Sequence, residues 1–201
     1  DILDAEAPLD LGHPTRVDSV VRPSDTALEN LADRLLAARN PVLIAGHELA
    51  TRNALQEAAT FAEVLGAAVW QQTVPYAAQF LSEHPAFMGQ LSRSQTQVRG
   101  VLQPHDLLVC LGADVLCMLV YNPIDALPEG MPIVQIAERD WELGKNYPAE
   151  IAINAHVGET LRALTEVLRR RMNAQQKSVA TARLAEITRN NWSVKRTRAS
   201  E

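Results

Sequence analysis

The chain has 201 residues, 47% of them hydrophobic but only 4% aromatic, with two cysteines and a formal net charge of −5. That length can bury a sizeable core, and an apolar count carried by Ala, Leu and Val suits helices packed on strands and disfavours an all-β sandwich. The acidic balance argues against a nucleic-acid binder, and no apolar run reaches the roughly 18 residues a membrane span needs, so neither partner is expected.

Residues 1–24 contain Pro8, Pro14 and Pro23 and no sustained periodicity, and the first residue is Asp, not Met. They read as an interdomain linker in a piece of a longer chain. Ser24 then precedes DTALENLADRLLAARN, whose apolar residues at 28, 31, 32, 35 and 36 form one helical stripe. Ser24 or Asp25 is the expected N-cap, and Asn40-Pro41 the stop. PVLIAG (41–46) has the pattern of a buried strand ending in glycine. TRNALQEAATFAEVLG (51–66) reads as an amphipathic helix closed by Gly66, and AAVWQQ (67–72) as a second strand. A long loop follows from Thr73, and AFMGQL at its tail is a candidate short strand. Residues 92–102 are a candidate helix stopped by Pro104.

DLLVCLG (106–112) is the clearest strand, and Cys110 inside it is expected to be a buried free thiol in a reducing, cytoplasmic compartment. MPIVQIA (131–137) and EIAINA (150–155) complete the strand candidates, the last on an edge. HVGETLRALTEVLRRR (156–171) is a strong helix with arginines in its last turn. Short strands alternating with helices mean βαβ units. The expected fold is therefore α/β: a doubly wound, mostly parallel six-stranded Rossmann-like sheet with helices on both faces, over residues 25–172. Residues 173–201 carry six Lys or Arg against Glu186 and Glu201. They read as a basic, partly helical connector with Leu184 and Ile187 inward, or alternatively as a basic arm for an acidic partner.

In a doubly wound sheet, ligands bind beyond the carboxyl ends of the strands, where the strand order reverses. If PVLIAG is the first strand and DLLVCLG the fourth, Gly46-His47-Glu48 and Gly112-Ala113-Asp114 lie side by side there. A dinucleotide fingerprint needs three glycines, and each turn has one, so the alternative is two strand-ending glycines with nothing bound. His47-Glu48 lacks a nucleophile or second base by spacing and reads as a surface turn. The other histidines are scattered singly, which excludes a spaced metal site, and His105 and His156 adjoin element starts, where polar residues serve as caps.

Read in order, PVLIAG, GAAVWQQTVPYAAQFLSEHPAFMG, HDLLVCLGADV, YNP and MPIVQIAERDWELGKNY resemble the middle domain of the benzoylformate decarboxylase and acetolactate synthase group, from about Ser24 to Arg171. The resemblance implies a three-domain thiamine-diphosphate-dependent 2-oxo acid decarboxylase or carboligase. Its first and third domains hold thiamine diphosphate and Mg²⁺, and the parent is a dimer or tetramer. This middle domain is expected to be inactive alone, with the parent's own N- and C-terminal domains as its partners. Some members hold FAD or ADP at the crevice. In acetolactate synthases an Arg stands where Asp114 is found, and an Asp-x-Asp pattern where Ala137 and Arg139 are found, so FAD binding is not expected. The histidine that benzoylformate decarboxylases contribute to their active site aligns with Leu119. With Met118, that position implies an apolar wall in the parent's pocket without acid/base work. A free-standing nucleotide- or NAD-binding domain is the alternative.

Overall fold

In the computed structural model, residues 12–118 and 121–200 are described, together with Asp4, Glu6 and Asp10. The chain alternates helices and strands: α1 (Asp25–Ala37), β1 (Pro41–Ala45), α2 (His47–Thr51), α3 (Leu55–Leu65), β2 (Ala68–Gln71), β3 (Phe87–Gln90), α4 (Gln95–Leu102), β4 (Leu107–Leu111), β5 (Ile133–Ala137), β6 (Ile151–Asn154), α5 (Val157–Arg171), α6 (Ala174–Arg189) and α7 (Trp192–Ser200). Six strands form one sheet in the order β3-β2-β1-β4-β5-β6. Every pairing is parallel, so the sheet expected as mostly parallel is wholly so among the described residues.

Local chemistry accounts for the element boundaries. The Ser24 side chain accepts a hydrogen bond from the Ala27 N–H and starts α1. His156 caps α5, its Nδ1 accepting from the Glu159 N–H at 3.2 Å. Gly66 ends α3 in the left-handed conformation that residues with a Cβ disfavour.

All residues of β1, β4 and β5 are buried, as strands covered on both faces must be. Alternate residues serve two cores. Leu43, Ala45, Leu107, Val109 and Leu111 pack under α1, α3 and α5. Val42, Ile44, Leu108 and Cys110 face α4 and the long connection after β4. Each fully buried leucine contributes about 2 kcal/mol.

The tail is helical with Leu184 and Ile187 inward, as the sequence suggests, and it is seated on the domain where a connector is expected. Residues 173–201 hold two helices, and α6 is laid on the domain: Ala180 is buried, and Leu184 and Ile187 pack against the two cores. Gly66 makes this close approach possible, since a Cβ there would lie 2.2 Å from the Ala180 carbonyl oxygen. Trp192 of α7 meets Phe87 edge-on, with 6.4 Å between ring centroids. No helix among the described residues is long and apolar enough to cross a membrane.

Candidate functional site

The strand order reverses between β1 and β4, because β2 lies beyond one and β5 beyond the other. Both Gly46 and Gly112 sit at this point, on the carboxyl rim. The two turns are in direct contact. The Gly46 N–H donates to the Leu111 carbonyl at 3.0 Å, and the Glu48 N–H to the Gly112 carbonyl at 3.1 Å. A Cβ on Gly46 would fall 2.1 Å from the Gly112 carbonyl oxygen and 2.2 Å from Ala113 Cα. Gly112 itself has φ +56°, and a Cβ there would press on Glu48 Cβ at 2.5 Å. Two glycines are required here because two backbones touch, leaving no gap for a ligand to enter between them.

Charge fills what remains. Glu48 is 5% exposed. Its Oε2 accepts from the Glu138 N–H at 2.9 Å and its Oε1 from Arg139 Nε at 3.3 Å. Arg139 also donates through Nη2 to Asp114 Oδ1 at 3.1 Å, and Arg52 pairs with Glu138 at 2.6 Å. Glu142 lies 3.6 Å from Lys145. Four carboxylates and three cations thus satisfy one another beyond β1, β4 and β5. The backbone N–H groups of Glu48 and Glu138, which a phosphate would need, already have acceptors inside the chain.

The structure brings Gly46, Gly112, Ala113, Asp114 and Arg139 together at one rim. His47 stands at its margin, its ring centroid 6.1 Å from that of Tyr76. One expectation needs correction. His47-Glu48 is not a surface turn but the start of α2, and Glu48 points inward. Sequence reasoning missed Glu48 because its partner, Arg139, lies 91 residues away. A carboxylate beside the apolar Leu49 and the small Gly46 was the only local sign. Met118 is half-buried beside the α4-side core, and Leu119 lies outside the described residues.

Cys110 is a buried free thiol whose burial pushes its pKa up to about 12, and Cys117 is a free, exposed one. Among the described residues, no group of three or more His, Cys, Asp or Glu is placed to hold a metal ion.

Residues 28–164 match the family of the thiamine pyrophosphate enzyme, central domain. The chain is 30% identical over 154 residues to benzoylformate decarboxylase of Pseudomonas aeruginosa, covering 77% of this chain and 29% of that protein. It is 26% identical over 196 residues to sulfoacetaldehyde acetyltransferase of Rhodobacter capsulatus, covering 95% of this chain and 32% of that protein. Among solved structures, the thiamine diphosphate-dependent 4-hydroxybenzoylformate decarboxylase of Rhodococcus jostii RHA1 superposes with a TM-score of 0.69 at 29% identity. That match covers 79% of this chain and 29% of the other. The chain spans about a third or less of the length of these relatives.

Proposed function

This chain belongs to the family of thiamine pyrophosphate enzyme central domains, and we propose that it serves as the non-catalytic middle domain of a 2-oxo acid decarboxylase or carboligase. In this reading the parent's other two domains bind thiamine diphosphate and Mg²⁺, and this domain buttresses them in a cytoplasmic homo-oligomer. The domain binds neither cofactor itself, does not hold FAD, and is inactive alone. Met118 faces the parent's catalytic pocket as an apolar group, shaping the space beside the substrate without moving a proton.

The observation that carries this reading is the closed crevice. Ligands of doubly wound sheets enter at the switch point. Here the Gly46–Gly112 contact and the buried Glu48 carboxylate occupy it. An approaching pyrophosphate would meet Glu48 and Asp114, and would have to take Arg139 from both.

Calorimetry tests the proposal directly. Titrating the 201-residue chain with thiamine diphosphate plus Mg²⁺, with FAD and with NAD should give no heat. Micromolar binding of NAD would replace the proposal with a nucleotide-binding domain. Turnover of benzoylformate by the chain alone would refute the non-catalytic assignment.

A further inference from the structure

The chain after β4 does something the core does not require. Ala113, Val115 and Leu116 are buried, and then the direction changes: Cys117 is exposed, and Tyr121 is 90% exposed. The turn is made at Leu116, which has φ +47°. A γ-branched residue adopts the left-handed region only where its surroundings hold it there, and such strain gathers at functional positions.

Three neutral side chains from two other parts of the molecule do the holding. Thr73 Oγ1 donates to the Cys117 carbonyl at 3.1 Å. Asn146 Nδ2 donates to the Val115 carbonyl at 2.9 Å. Gln72 Oε1 accepts from the Asp114 N–H at 3.3 Å. These bonds bracket Leu116 on both sides. Their donors are fixed in turn: Gln90 Nε2 donates to the Thr73 carbonyl at 3.0 Å, and the loop carrying Asn146 is pinned by Gln135, whose Oε1 accepts from the Gly144 N–H at 2.9 Å. Gln72, Thr73 and Gln135 are all buried, so each is a polar group sequestered from water and matched to a partner.

We propose that Thr73 and Asn146 are positioning residues. By bracketing Leu116 they set the direction in which Met118 is presented at the carboxyl rim, and so set the parent's selectivity for the group attached to the 2-oxo acid. The inference rests on the reading that Met118 faces the catalytic pocket. Because the brackets are uncharged, they hold the segment equally at every pH near neutrality.

The test uses the full-length enzyme with benzoylformate and pyruvate. Thr73→Val and Asn146→Leu should each shift the ratio of the two kcat/KM values by about fivefold, the effect of one neutral hydrogen bond. The change should lie chiefly in KM, with an unaltered pH profile, and Thr73→Ser should restore the ratio. Equal proportional losses for both substrates would mean a merely structural role and overturn the inference. Met118→Ala separates the two layers. If it leaves the ratio unchanged, the pocket reading fails and the inference with it; if it shifts the ratio while Thr73→Val does not, the inference alone fails. Amide hydrogen exchange in the 201-residue chain tests the brackets without substrate. Residues 113–118 should exchange about tenfold faster in Thr73→Val, with the β1 and β4 amides unchanged. Unchanged exchange at 113–118 overturns the inference whatever the substrate.

Discussion

Carboxylates tie the β1 end of the sheet to β4 at the amino end and to the turn after β5 at the carboxyl end, and the two ties differ in burial. At the amino end, Asp106 accepts from the N–H groups of Arg39 at 2.7 Å and Asn40 at 2.8 Å. His105 Nδ1 adds a bond to the Asn40 carbonyl at 3.1 Å. At the carboxyl end, Glu48 accepts from the Glu138 N–H and Arg139. Asp106 is exposed, while Glu48 is 5% exposed. Water can replace part of what Asp106 supplies, but nothing can replace Glu48. The amino-end tie closes an ordinary loop junction. The carboxyl-end tie closes the place where this fold class takes ligands, with groups from the chain itself.

Substitutions at the two ends should separate in size. Gly46→Ala forces two touching backbones apart and should cost about 4 kcal/mol or more, or prevent folding. Urea denaturation with a midpoint near that of the parent sequence would break the picture of a closed crevice. Glu48→Ala leaves the Glu138 N–H without its acceptor and takes one carboxylate partner from Arg139, which keeps Asp114, and should cost about 2 to 3 kcal/mol. Its counterpart Asp106→Ala should cost only about 1 kcal/mol, because the freed N–H groups reach water. If the order of these two were reversed in the same denaturation series, burial would not be what distinguishes the ends.

The smallest effects are those of pH, and both belong to the amino end. Burial lowers the His105 pKa from 6.5, against the opposing pull of the Asn40 carbonyl and Asp106. The unfolded chain therefore binds more protons just below 6.5, and stability must fall as pH drops below that value. Between pH 7.5 and 5.5 the Tm should fall by about 2 °C more than in His105→Gln. For Asp106, burial pushes the carboxyl up, but the N–H donors of Arg39 and Asn40 and the Arg34 charge outweigh it, leaving the pKa below 3.8. Its contribution is present above 3.8 and disappears as acid protonates the folded carboxyl. Asp106→Asn should flatten that part of the acid limb of the denaturation curve.

Much of the fold was legible beforehand because its signals are local. The apolar runs 41–46 and 106–112 are β1 and β4, with boundaries displaced by a residue, and Ser24 and His156 cap the helices they precede. Cys110 is buried because the apolar residues around it are. The tail was harder to read. Its charges suggested solvent, yet Ala180 needs only a glycine opposite to approach closely, and Gly66 supplies it from another helix.

Periodicity, caps and turn glycines depend on neighbours within about four residues, so the sequence alone determined the six strands, helices α1, α3, α4 and α5 and the family resemblance. The burial of Glu48, the bracketing of Leu116 and the seating of α6 depend on partners dozens of residues away. An ion pair or a buried hydrogen bond is a matter of distance in space, so only the tertiary structure could decide that the crevice is closed and that Leu116 is held at positive φ.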